Sequence, residues 1–371
     1  MKKIKIITID DFEMDVRMNK IAQYFDLKFD VEIIEFDKKN IHINKKSEKI
    51  NNINVTRFFC REKSKYIKIF PYLKRLIYMF YLFKYILQVK KYLKNREYDY
   101  LYCSGNYGTL VGNMVKKRSS KIIYDMREFY QIVNKKTSKI VKAFDDYLCK
   151  KADYIVYVNE KQKQYIKSKN YNKLIFIPNY VKKEHYKDIE KTKCNKIRIN
   201  YIGCSRDYKS LKNLIDAANN NEEILIGIHG LGDAYGSLKK ISAEYNNLSV
   251  TGKYNGIKES EKIFKNTDVL MCCYDVDILN WKYAFAVKLF ESIITLTPII
   301  VYDNSNMGEF VKKYDIGYTV IKNEVDEFKK TLNLIVDDKN AMIRKIKNLK
   351  KIQFEYTWEK VINNIDCICD K

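Results

Sequence analysis

The chain is poor in the residues that build metal centres and covalent scaffolds. It has 3 histidines in 371 residues, and its 9 cysteines include no C-x-x-C pair. Neither a zinc site nor a disulfide framework is supported by so few histidines and so odd and scattered a cysteine set. Prolines number 3 and glycines 12, while Lys, Ile, Asn and Tyr are abundant throughout. Long apolar runs are missing too. The strongest, Leu76-Ile-Tyr-Met-Phe-Tyr-Leu-Phe83, is bounded by Arg75 and Lys84, far short of the roughly 20 residues that span a bilayer. The opening Met1-Lys-Lys-Ile-Lys-Ile-Ile-Thr-Ile-Asp-Asp11 turns acidic after too few apolar residues for a signal peptide, which makes the cytosol the expected compartment.

What is present is positive charge and apolar material. The formal net charge is +24, and 46% of residues are hydrophobic, enough for two cores in a chain of this length. Such a field attracts polyanions, whether nucleotide phosphates, anionic lipid or nucleic acid, or else it is a solvated surface. No RNA-binding or zinc-finger signature accompanies it, so nucleic acid is not an expected partner. Between positions 61 and 94 stand ten Lys or Arg against the single acid Glu62. They surround the aromatic stretch 76–83, a pattern suited to a helix lying in an anionic membrane surface or to a helix packing its aromatic face into a core.

Short apolar strands alternate with amphipathic helices along the whole length, the pattern of parallel sheets wound on both faces. Strands are predicted at 4–9, 31–36, 98–103, 121–124, 154–158 and 174–177, then at 197–201, 224–228, 248–251, 269–272, 299–302 and 318–321. The fold class is α/β, with two doubly wound, Rossmann-like domains facing a cleft. A first domain is predicted over 1–181, a charged linker over 182–196 and a second domain over 197–350. A terminal helical segment at 351–371 should return to the first domain, with Trp358 as its anchor.

The run Phe285-Ala-Val-Lys-Leu-Phe-Glu-Ser-Ile-Ile-Thr-Leu-Thr-Pro-Ile-Ile-Val301 carries the most chemistry. A helix opening near Phe285 puts Lys288 beside free N–H groups and the positive end of the dipole, a seat for phosphate. Glu291, one turn on, shares that face and can accept hydrogen bonds from sugar hydroxyls. The alternative is an exposed i,i+3 salt bridge. A second grip lies at Tyr201-Ile-Gly-Cys-Ser-Arg-Asp-Tyr-Lys-Ser210, where Gly203 lets the backbone turn near a ligand and Arg206 and Lys209 flank the next helix.

The Lys-x-x-Glu run followed by Pro298-Ile-Ile-Val resembles the donor-binding helix of GT-B glycosyltransferases of the retaining family 4 type. Tyr201–Ser210 is similar to that family's Gly-Arg-loop-Lys-Gly element. Ile228-His-Gly-Leu-Gly-Asp233 and Ser249-Val-Thr-Gly-Lys-Tyr254 resemble its Gly-x-Gly loop and nucleobase turn. Ile123-Tyr-Asp-Met-Arg-Glu-Phe-Tyr130 resembles its strand-end Asp-x-His-Glu, and Ile177-Pro-Asn179 its Pro-Asn turn. The resemblance implies a nucleotide-diphosphate sugar donor bound by Gly203, Arg206, Lys209, Tyr254, Lys288, Leu289 and Glu291. It implies catalytic roles for Arg127, Glu128, Lys209 and Lys288, and an acceptor side at Asp10 and Asp11. No metal and no cofactor are expected. The product would be a glycosylated glycan or lipid-linked acceptor in cell-surface polysaccharide synthesis, made at the inner face of the membrane. Three departures stand out: Tyr283 occupies a position often held by glutamate, Arg127 that of the strand-end histidine, and Asp10-Asp-Phe-Glu-Met-Asp15 that of the glycine-rich turn. A nucleotide-sugar epimerase of the same fold, or a non-catalytic partner subunit, would share the donor grip.

Overall fold

The computed structural model describes residues 1–38, 40–42, 44–59, 74–130, 132–133, 136–186, 189–254 and 256–368. They form two units. One comprises Met1–Val133, Thr137–Pro178 and Ile362–Lys371, and the other Asn179–Val361 with a short piece at 134–136.

The first unit is built on an eight-stranded sheet. In chain order its main elements are β1 (Lys3–Thr8), α1 (Val16–Asp26), β2 (Asp30–Asp37), β3 (Ser47–Ile50), β4 (Ile53–Phe59), α2 (Lys74–Leu93), β5 (Tyr100–Ser104), α3 (Gly105–Val115), β6 (Lys121–Met126), α4 (Lys139–Lys151), β7 (Tyr154–Tyr157) and β8 (Leu174–Phe176). The strand order is β8-β7-β6-β5-β1-β2-β4-β3, parallel apart from the β3–β4 pair. Central strands such as Ile4 to Thr8 are buried along their length, because helices cover both faces of a parallel sheet. The β3–β4 hairpin was not predicted. It turns on Asn51 and Asn52, both at positive φ (50° and 68°), a conformation asparagine tolerates and two-residue hairpins require.

Helix α2 packs one face on the sheet, and Leu82 is the member of the 76–83 stretch that is buried there. Leu82, Tyr85, Ile86, Val89 and Leu93 are buried against Ile7, Ile34 and Phe36, each contributing about 1.5–3 kcal/mol as apolar surface leaves water. The basic run before it, at 60–73, lies outside the described residues.

The second unit contains β9 (Ile197–Ile202), α5 (Tyr208–Ala217), β10 (Ile224–His229), α6 (Tyr235–Ile241), β11 (Leu248–Gly252), α7 (Gly256–Lys265), β12 (Val269–Met271), α8 (Leu279–Tyr283), α9 (Val287–Ile294), β13 (Ile299–Tyr302), α10 (Asn306–Tyr314), β14 (Gly317–Val320), α11 (Val325–Asp337), α12 (Lys339–Ile352) and α13 (Trp358–Val361). Its six parallel strands run β11-β10-β9-β12-β13-β14. The order reverses between β9 and β12, so the crevice at their carboxyl ends is the expected ligand position in an open α/β sheet. All twelve predicted strands are present, with ends shifted by one or two residues.

The stretch 182–196 lies on the second unit instead of hanging as a free spacer. Lys191 is half-buried there, its Nζ donating to Phe264 O (2.9 Å), Thr267 O (2.8 Å) and Thr297 Oγ1 (2.6 Å). Trp358 is 4% exposed within this same unit, and its N–H donates to Val181 O at 2.9 Å. The return to the first unit is made by residues 362–368. There Lys28 pairs with Asp366 (2.7 Å) and Tyr100 Oη donates to Ile368 O (2.7 Å).

Candidate active site

The crevice of the second unit collects most of the residues expected to bind a donor. Strand β9 ends at Gly203, whose φ of +132° is one that side-chain-bearing residues avoid. A Cβ at Gly203 would lie 2.7 Å from Lys288 Nζ, so the absent side chain is what leaves room for the lysine. Beside it, Gly230 at the end of β10 packs directly on the Gly203 carbonyl, holding the two strand-end loops together.

Lys288 enters from α9. That helix begins at Val287 with Ala286 as its N-cap and no side-chain hydrogen bond on its first amides. It starts two residues later than predicted, so its open N-terminus faces the position of Lys288 itself. The lysine is buried, donates to Tyr274 Oη at 2.9 Å and lies 4.8 Å from the centre of the Tyr201 ring. Burial opposes its charge, but Tyr201, Cys272 and Glu291 around it outweigh that cost, and its pKa stands above that of an ordinary lysine. An exposed helix salt bridge is therefore not what this pair is.

Glu291 is half-buried and its Oε1 accepts from Tyr186 Oη at 2.7 Å. Tyr186, at the end of the short helical turn Lys183–Tyr186, was missed because it sits in a stretch read as linker. Tyr274 was missed as well, although an aromatic just past β12 at the strand-order reversal is a usable signal. Tyr254 belongs to the same neighbourhood, its phenol pKa raised by burial and by Glu291 and lowered by Lys288.

The other expected residues are placed differently. Arg206 is exposed, its Nε 3.3 Å from Cys204 Sγ. Leu289 is fully buried and its N–H donates to Ala286 O, so it serves the core. Lys209 lines a pocket of about 370 Å³ with Asp207, Asp275, Tyr302 and Glu324, a pocket that does not include Lys288.

In the first unit, the carboxyl ends of β1 and β6 carry a charged network. Asp125 is fully buried and bound by Arg17 (2.8 Å), which also donates to Ile177 O at 2.9 Å. Arg127 spans Asp15 (2.6 Å), Asp125 (3.5 Å) and Ser104 Oγ (2.9 Å), with Asp10 at 3.9 Å. Despite its burial, these carboxylates hold its pKa above the usual arginine value. Glu128 is exposed. Asp10 pairs with Lys38 (3.1 Å), and Asp11 lies 3.3 Å from His42 Nε2. The first unit's strand-end network thus joins Arg17 and Arg127 to Asp15 and Asp125, while Lys288 and Glu291 lie in the second unit.

Residues 182–352 match the family described as Glycosyl transferases group 1. The matched stretch lies within the second unit, which is thus similar to a group 1 glycosyltransferase domain, and the chain has the GT-B fold. Sucrose-phosphate synthase from Thermosynechococcus elongatus superposes with a TM-score of 0.74 at 11% identity, over 100% of this chain and 98% of that one. HepE from Anabaena, solved with UDP and glucose, gives 0.71 at 12% identity and 100% of both chains. A glycosyltransferase from Rickettsia africae gives 0.69 at 12%, over 99% and 97%. No curated protein sequence matches. The matched stretch contains Gly203, Lys288, Glu291 and the Tyr186 that holds the glutamate.

Proposed function

We propose that this protein transfers a hexose, with retention, from a nucleotide-diphosphate sugar to a glycan or lipid-linked acceptor in surface-polysaccharide synthesis, as a family 4 glycosyltransferase does. The observation that carries the reading is the buried, charged Lys288 over Gly203 at the uncapped start of α9. The barrier to glycosyl transfer lies in departure of the nucleotide diphosphate and in positive character at the sugar ring. A cation and helix amides fixed before the reaction stabilise the leaving group without reorganising. Glu291, oriented by Tyr186, accepts from the ribose, and Arg206 supplies further positive charge at the rim. In retention, a leaving phosphate oxygen takes the acceptor proton on the same face, so no dedicated nucleophile is required. The complexes of HepE with UDP and with UDP-glucose favour a uridine donor. In the first domain, Arg127 positions Asp15 and Asp125, while Asp10, Asp11 and Glu128 belong to the acceptor side.

The protein is also proposed to work at the inner face of the cell membrane. Among the described residues no helix is long and apolar enough to cross a bilayer, so attachment would be peripheral. Leu76 (67% exposed), Met79, Phe80 (54%), Phe83 (54%) and Leu87 form one outward stripe on α2. Lys84 stands beside this stripe with its Nζ 4.6 Å from the Phe80 ring centre, and Lys90, Lys91 and Lys94 continue the same face, which becomes cationic toward its end. That sequence of surfaces suits insertion among acyl chains with anionic headgroups at one end.

A screen of nucleotide sugars for thermal stabilisation tests the donor assignment, since a bound donor raises the melting temperature. Stabilisation by UDP-sugars followed by glycoside formation is expected. An epimerised sugar nucleotide appearing without acceptor would replace transfer by epimerisation, and binding without turnover would make the chain a partner subunit.

A further inference from the structure

A second cluster, unrelated to the donor grip, lies at the carboxyl ends of β1 and β2. In a chain of net charge +24, positions 10–37 hold nine acids and only three cations. Asp11, Glu35 and His42 are brought together there, one ligand atom from each lying within 4.8 Å of the others. Small side-chain rotations close such a spread to the ~3–4 Å between atoms bound to one ion at about 2.0–2.2 Å.

Glu35 is the informative member. It is fully buried, Arg57 Nε holds its Oε2 at 3.2 Å, and its Oε1 has no hydrogen-bond partner. A buried carboxylate oxygen without a partner costs about 1–3 kcal/mol or more, and this one belongs to the group of atoms that converge on the cluster. Four of the five Arg57 N–H groups are engaged, one on Glu35 Oε2 and the others on Glu13 (3.1 Å), Glu48 and Lys45 O (3.0 Å). Glu13 and Asp11 also flank the two nitrogens of His42, at 3.6 and 3.3 Å. Glu13, Glu35 and Glu48 pair with Arg57, Glu48 also pairs with Lys45, and Asp11 adds a further carboxylate beside His42.

We infer that Asp11, Glu35 and His42 form a binding site for a divalent transition-metal cation. One imidazole and two carboxylates suit zinc or manganese better than calcium or magnesium. The ion satisfies Glu35 Oε1 and ties His42, after β2, to Asp11 in the turn after β1. Its role is to hold that acceptor-side loop, and it does not depend on the donor chemistry of the other unit.

The test uses the full chain stripped with EDTA and titrated with Mn²⁺, which avoids the exposed thiols of Cys194, Cys204 and Cys367. Loss of the free-ion resonance signal counts the bound metal. One equivalent is expected, with a melting temperature that rises with Mn²⁺ concentration. His42→Ala, on a surface loop, and Glu35→Gln, which keeps an oxygen for Arg57, should each weaken binding at least tenfold while retaining the far-ultraviolet spectrum. Absence of saturable Mn²⁺ and Zn²⁺ binding in the wild type, or equal affinity in the folded His42→Ala variant, overturns the site.

Discussion

At the scale of single residues, the donor grip rests on two side chains whose surroundings differ. Glu291 is accessible enough to meet a ribose and is oriented by Tyr186, so Glu291→Ala should weaken donor binding by about 1–3 kcal/mol, the usual value of charged hydrogen bonds. Lys288 faces charge that peaks as the diphosphate leaves. Lys288→Ala should therefore lower kcat more than Glu291→Ala does, while Tyr186→Phe should raise the donor KM with kcat nearly unchanged. Titration calorimetry and steady-state kinetics read these effects; unaltered donor affinity and rate in both charge variants would remove the grip. His229 sets a different expectation. Burial lowers its pKa from 6.5 to about 4, so the unfolded chain binds the extra proton first. Its contribution is complete above pH 6.5 and is lost as pH falls toward 4, by at most about 3 kcal/mol. Urea unfolding across that range should show a decline in stability that His229→Gln diminishes.

At the scale of elements, α2 is the case in which sequence patterning left two readings open, of which the core packing is observed and the membrane reading is a proposal. Its inner face packs on the sheet, with Tyr85 stacked on Phe36 at 4.7 Å, while its outer face keeps Phe80 and Phe83 exposed. Periodicity shows that a helix has an apolar face, but not how many apolar faces a sheet will cover. Each cation near an anionic bilayer contributes about 1 kcal/mol. Replacing Lys90, Lys91 and Lys94 with Gln should thus release the protein from anionic vesicles and leave UDP-sugar binding intact. Cosedimentation beside an RNA shift assay at matched salt decides it, and full retention of the mutant or a preference for RNA would end the membrane assignment. The β3–β4 hairpin escaped prediction for the opposite reason. Its strands are short and polar on one side, and the Asn51-Asn52 turn was the readable cue. The strand β13, Ile299-Ile-Val-Tyr302, was legible as an unbroken apolar run, which burial on both faces favours, and β1 and β9 by their recurrent isoleucines.

At the scale of the whole molecule, the two proposed sites differ in their chemistry. In the proposed function Lys288 and the start of α9 neutralise phosphate without an ion, whereas the inferred site of Asp11, Glu35 and His42 holds one. EDTA should leave the UDP-sugar dissociation constant unchanged within twofold while lowering the melting temperature of the metal-loaded protein. A donor affinity that collapses on chelation and returns with Mg²⁺ would show that the cations of the second unit are insufficient. Sequence spacing alone determined the strand succession and the pairing of Lys288 with Glu291 on one helical face, because both are local consequences of backbone geometry. Tertiary structure decided which groups those residues meet. It set Gly203 under Lys288, Tyr186 against Glu291, Lys209 in a different pocket, and Glu35 beside His42 with one oxygen unpaired. Those neighbours are joined by sheet order and loop packing across tens of residues, and no periodicity in the chain records them.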